Sequence, residues 1–206
     1  MMRFLRQGNG MKTAFLLMLA VAVLCLGLGS DLQAQSAPLK LDPENTLYLD
    51  LKDGRVVIQL YPDLAPKHVA RIKELVRKGF YDGLVFHRVI EGFMAQTGDP
   101  TGTGTGGSGT KIPAEFSEKP FTRGAVGMAR AASPDSADSQ FFICFKPSFF
   151  LDGQYTIWGQ VVQGMDAVDK ITRGEPPANP DKIVRLRVAA DVKDEAPAAP
   201  TPPPAK

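Results

Sequence analysis

The sequence predicts a mainly β domain, a closed barrel or a sandwich, that carries two helices. Three observations predict it. Short β-prone runs recur between Asn45 and Val192, separated by clusters of Gly, Pro, Asp and Ser. Only two stretches space their apolar residues as a helix would. The first two runs flank Lys52-Asp53-Gly54, and Asp-Gly between β-prone runs is a strong hairpin signal. Many short strands with few helices bury their apolar faces by closing into a barrel or by stacking two sheets.

The elements follow in order. Thr46–Leu51 and Arg55–Leu60 make the hairpin. Pro66 suits the first turn of a helix that puts Val69, Ile72, Leu75 and Val76 on one face, and Gly79 stands where that helix would stop. Lys67, Arg71, Lys73 and Lys78 read as its solvated face, and His68 is expected to be exposed. Strands are expected over Leu84–Ile90, Phe93–Thr97, Ala125–Ala129, Gln140–Phe145 and Thr156–Val162. A second short helix opens at Gly164-Met165-Asp166 and runs to about Ile171. Ile183–Ala189 alternates apolar and basic residues, which fits a strand with one wet face.

The 206 residues carry 24 Lys+Arg against 22 Asp+Glu. The first 34 residues hold Arg3, Arg6, Lys12 and the single acid Asp31, so the rest of the chain is balanced. No basic stripe marks a nucleic-acid binder, and no nucleic-acid partner is expected. Hydrophobic residues make up 44%, enough for a real core. Two Cys and two His in the whole chain argue against a four-ligand zinc cluster, and no metal is expected.

Thr13 to Gly29 is free of charge, preceded by Lys12 and followed by Asp31. Residues 1–34 therefore read as a signal peptide, cut between Ala34 and Gln35, with Met11 as an alternative start. The competing reading is an uncleaved anchor, but the apolar run sits at the short end of the ~17–25 residues that span a bilayer. Cys25 is not expected to be lipidated, because bulky Leu24 precedes it. Cleavage would leave an exported domain, periplasmic or secreted, whose one cysteine, Cys144, cannot form an internal disulfide. Within Phe141-Phe142-Ile143-Cys144-Phe145 it reads as a small core residue. Residues 35–44 read as a linker and 45–192 as the folded domain. Residues 193–206 read as a disordered tail, in which Pro197, Pro200, Pro202, Pro203 and Pro204 favour extended, solvated backbone.

The common catalytic sets are missing: no G-x-S-x-G elbow, no phosphate-binding P-loop and no H-E-x-x-H. His87 lies among Phe86, Val89 and Ile90 and reads as a buried, hydrogen-bonded structural residue. Gly102-Thr103-Gly104-Thr105-Gly106-Gly107 lacks a following Lys-Ser/Thr and reads as a surface loop. Strand alternation puts Phe86, Arg88 and Ile90 on one side, and Gln140 with Phe142 likewise. An Arg, two Gln and several Phe and Met would line an apolar groove with a few hydrogen-bonding groups, suited to an extended peptide or small amide.

Tyr81 to Gly98, YDGLVFHRVIEGFMAQTG, followed in order by GTGTGG, by MARA at 128–131, by SQFFIC at 139–144 and by LDGQYT at 151–156, resembles the cyclophilins, the peptidyl-prolyl cis-trans isomerases. The resemblance covers the domain from about Asn45 to Val188. It implies an eight-stranded antiparallel closed barrel capped by two helices; no cofactor is expected, and a monomer is the default for a domain with no evident extra apolar face. It implies as partners proline-containing unfolded or extended polypeptides. By resemblance, Arg88 is the catalytic arginine, Phe93, Met94, Phe142 and Leu151 receive the proline ring, and Gln96 helps hold the arginine and the substrate. Gln140, Ala129 and Arg130 line the peptide groove, with Gly104 in the loop beside it. The chain departs from the pattern at Phe150, where the family often has Trp, at Tyr155, where it often has His, and at Arg130, where Asn is frequent. Tyr155 can still donate a hydrogen bond, so the substrate site is expected to survive. In the family that Trp N–H contributes to binding the inhibitor cyclosporin; Phe150 has none, so the resemblance implies weak cyclosporin binding. Trp158 is expected in the core. Two other readings stand beside an isomerase: a proline-peptide binding or chaperone module on the same scaffold, and a hydrolase using His87.

Overall fold

The computed structural model describes residues 41–192; the expected leader, most of the expected linker and the expected tail lie outside the described residues. Eight strands form one antiparallel sheet in the order β3-β4-β6-β5-β7-β2-β1-β8. They are β1 (Thr46–Leu51), β2 (Gly54–Leu60), β3 (Arg88–Ile90), β4 (Met94–Thr97), β5 (Ala125–Met128), β6 (Phe141–Cys144), β7 (Ile157–Gln163) and β8 (Arg185–Val188). Helix α1 spans Pro66–Arg77 and α2 spans Met165–Asp169. The hairpin turns where Asp-Gly predicts it, with Leu51 opposite Gly54.

The sheet curls strongly, and the closure expected of a barrel is met only in part. End strands β3 and β8 share no ladder. The gap between them is spanned by single bridges, Val85 to Lys182 and Val89 to Gly174, and by backbone bonds from Gly83 to Ile183 and from Phe86 to Asp181. The concave interior is filled by alternate residues of the strands: Leu47 and Leu49, Val56 and Ile58, Phe141 and Ile143. Trp158 is fully buried there, its ring edge-on to Phe141 at 5.5 Å. Helix α1 covers the interior with the predicted face, Val69, Ile72, Leu75 and Val76.

Two sequence expectations fail here. His68 is fully buried, not exposed. Its Nδ1 lies 2.8 Å from Glu115 Oε2, and the same carboxylate accepts the backbone N–H groups of Lys67 and His68. Ala65, at the N-cap, has no side chain to satisfy those donors, so Glu115 does so from another loop. The alternation expected through Leu84–Ile90 also breaks. Only Arg88–Ile90 joins a ladder, because the backbone before it turns away to bond the 181–183 segment. Phe86 therefore joins Val89 in the interior, while Arg88 and Ile90 face outward.

The convex face of β4, β5, β6 and β7 carries a second apolar cluster: Met94, Phe121, Ala125, Phe142, Cys144, Leu151 and Ile157. It forms because successive residues of a strand point to opposite faces, so the residues between the interior ones must be apolar too. This second cluster is the floor of the site.

Candidate active site

Antiparallel register sets the site. Arg88 of β3 is opposite Gln96 of β4, and Gln96 is opposite Phe142 of β6. Facing residues on neighbouring strands share a side, so these three side chains stand in one row, about 4.8 Å per step. The next position in that row is Gly127 of β5. A Cβ there would collide with the rings of Phe142 and Phe121, so only glycine leaves room for Phe142 to lie across β5.

Around the row lies a cavity of about 260 Å³ bordered by Arg88, Phe93, Met94, Gln96, Ala129, Arg130, Phe142, Phe150, Leu151 and Tyr155. Every one of these is a residue the sequence reading selected. Met94, Phe142 and Leu151 are buried and form the floor. Phe93 and Phe150 pack at 5.3 Å on the rim, where Phe150 stays 65% exposed. Tyr155 meets Phe142 edge-on at 5.9 Å.

Gln140 and Gly104, also selected, border an adjoining polar cavity of about 330 Å³ that shares Gln96, Ala129 and Arg130 with the first. Gln96 Nε2 donates to Gln140 Oε1 at 2.8 Å. Gln140 Nε2 in turn donates to the carbonyls of Gly104 and Gly106. The glycine loop is thus tied to the groove, and Asp99 ties it from behind, accepting N–H bonds from Thr101, Gly104 and Gly106. Burial alone would raise the pKa of Asp99, but those bonds and the Thr101 hydroxyl outweigh it and bring the pKa to about 2.

The sequence reading missed Glu175. The Nε of Arg88 donates to Glu175 Oε2 at 2.8 Å, whereas the amide of Gln96 is engaged with Gln140. Glu175 reaches Arg88 because Gly174 pairs with Val89 through two backbone bonds, 2.8 and 2.9 Å long. Nothing local signals the Arg88–Glu175 pair, since the two lie 87 residues apart. His87 is buried as expected, but neither ring nitrogen has a hydrogen-bond partner of ordinary geometry among the described residues, so it is not the hydrogen-bonded residue foreseen. Desolvation lowers its pKa. Burial pushes the Cys144 thiol up to about 12, which leaves it a core residue. What the arrangement offers is a ring-sized apolar pocket, a guanidinium at its lip and amide groups beside it.

The family model described as cyclophilin type peptidyl-prolyl cis-trans isomerase/CLD matches residues 46–188. The chain belongs to the cyclophilin family. It is, like the family, a peptidyl-prolyl cis-trans isomerase. It is 53% identical over 191 residues to a probable peptidyl-prolyl cis-trans isomerase of Brucella suis, covering 84% of this chain and 95% of that one. It is 44% identical over 133 residues to peptidyl-prolyl cis-trans isomerase B of Bacillus subtilis, covering 63% of this chain and 92% of that one. Among solved structures, a cyclophilin from Hirschia baltica matches with a TM-score of 0.69 at 31% identity, over 75% of this chain and 77% of its own. A Cryptosporidium parvum cyclophilin, crystallised in the presence of the dipeptide Ala-Pro, matches with a TM-score of 0.65 at 28% identity, over 69% and 98%. Against that family background the departures gain a setting. Arg130 of this cyclophilin stacks over Tyr155, 4.5 Å from the ring centroid, so the two unusual residues support each other.

Proposed function

We propose that this cyclophilin is exported and accelerates rotation about X-Pro bonds in unfolded or extended polypeptides, with Arg88 stabilising the twisted amide. The observation that carries the reading is the row Arg88, Gln96, Phe142 on one face, with the apolar pocket beside it.

The X-Pro bond resists rotation by ~18–20 kcal/mol because resonance makes it a partial double bond. Uncatalysed exchange takes tens to hundreds of seconds. An acceleration of ~10⁴ needs only ~5.4 kcal/mol of binding that the twisted amide enjoys and the planar one does not. As the amide twists, its nitrogen becomes pyramidal and regains a lone pair. Arg88, anchored at Nε by Glu175, has its terminal nitrogens left to donate to that lone pair. Phe93, Met94, Phe142 and Leu151 hold the ring while the acyl side turns. Gln96 and Gln140, braced by the glycine loop, hold the peptide backbone along Ala129 and Arg130. The reaction uses no nucleophile and no proton relay.

Exchange NMR on a short Ala-Pro peptide tests this. The protein should accelerate cis–trans exchange, and Arg88→Ala should slow it at least about tenfold. Shifted peptide resonances with no acceleration would instead describe a binding module on a cyclophilin scaffold. Export has its own check: the mature protein, taken from outside the cytoplasm, should begin at Gln35.

A further inference from the structure

The ionisable side chains bordering the groove and its neighbouring cavities largely cancel in charge. Arg88 pairs with Glu175 at 2.8 Å, and Lys111 lies 3.8 Å from Asp138. His87, whose pKa is lowered by burial, is neutral at pH 7. Among the described residues, Arg130 is the remaining charge bordering these cavities, and none of its hydrogen bonds goes to a carboxylate. Nε and Nη2 donate to the Gln154 carbonyl at 3.2 and 3.0 Å, and Nη1 donates to the carbonyls of Ala131 and Ala132 at 3.0 and 3.2 Å. Those carbonyl dipoles and the Tyr155 ring fix the guanidinium without cancelling its charge. It borders the pocket with the apolar floor, the polar cavity beside it and a third cavity lined by His87, Arg88, Gly104 and Glu175. A chain lying in any of these three cavities would have this cation at its border.

We propose that Arg130 makes the enzyme selective for prolines flanked by an acidic residue. The inference rests on the isomerase reading above and names its substrate class. An exposed ion pair usually gains little because two flexible side chains must be ordered to make it. Here one partner is already ordered, so little side-chain entropy is lost when a carboxylate approaches its charge.

The test is exchange NMR at low salt on acetyl-Ala-Glu-Pro-Ala-amide and acetyl-Ala-Ala-Pro-Glu-amide, each against its Lys counterpart. The expected result is a kcat/KM for Glu about fivefold or more above that for Lys on at least one flank. The preference should shrink as salt is added, fall towards one in Arg130→Gln, and be reduced but still favour Glu in Arg130→Lys, which keeps the charge without the ordered fork. The ratio within one protein is unaffected by any loss of overall activity, and the wild-type ratio needs no variant to fold. A wild-type ratio near one on both flanks, or an undiminished ratio in Arg130→Gln, overturns the selectivity while leaving the isomerase intact. No acceleration of any of these peptides overturns the isomerase reading itself.

Discussion

At the scale of single residues, Phe142 shows how one position both packs the sheet and lines the candidate pocket. Its ring stacks on Phe121 at 5.9 Å, lies across Gly127, and lines the candidate pocket. Phe150, on the opposite rim, is mostly exposed and makes one ring contact, to Phe93. It supplies apolar area but no hydrogen bond, which is why we propose weak cyclosporin binding for this cyclophilin. Phe150→Trp adds an indole N–H at the rim. It should tighten cyclosporin inhibition about fivefold, the worth of one net hydrogen bond. An inhibition constant already submicromolar in the wild type would contradict that account. The residues that border the pocket were legible from the motifs' resemblance to the cyclophilins, not from strand alternation, which breaks before Arg88. Glu175 and the burial of His68 were not, because each depends on a partner 87 or 47 residues away.

At the scale of elements, α1 illustrates the same limit. Its apolar face, its Pro at the first turn and its end near Gly79 all follow from local spacing. Its N-terminus does not, because the acceptor for its free N–H groups is Glu115, in the long connection between β4 and β5. That arrangement has a pH signature. Desolvation lowers the pKa of buried His68 below its ordinary value, even with the Glu115 carboxylate beside it. The unfolded chain, with an ordinary histidine pKa near ~6.5, therefore takes up a proton before the folded one does. Stability should decline as pH falls from 7 towards 5. His87, also lowered by burial, pushes the same way. His68→Gln should flatten the decline in thermal midpoint over that range without removing it. A midpoint that rises on acidification, or a slope unchanged in the variant, would contradict the assignment.

At the scale of the whole molecule, the curled sheet gives each strand two apolar faces, one for the interior and one for the groove floor. The mainly β class and the position of most strands were readable from short runs and turn residues. The incomplete closure between β3 and β8 was not, because single bridges leave no periodic trace in sequence. The double-sided strands also explain why β5 and β6 are buried along their whole length, while the row of Arg88, Gln96 and Phe142 sits on the outside. The central claim is that this outside row acts on the twisted amide more than on the planar one. The direct measurement is NMR line-shape analysis of one Ala-Pro peptide titrated with wild type and with Arg88→Ala. It yields the dissociation constant and the bound-state exchange rate separately. The account predicts a bound-state rate lowered by about 100-fold with the dissociation constant changed by less than about threefold. A dissociation constant that weakens in step with catalysis, while the bound-state rate stays unchanged, would make Arg88 a binding residue and contradict it.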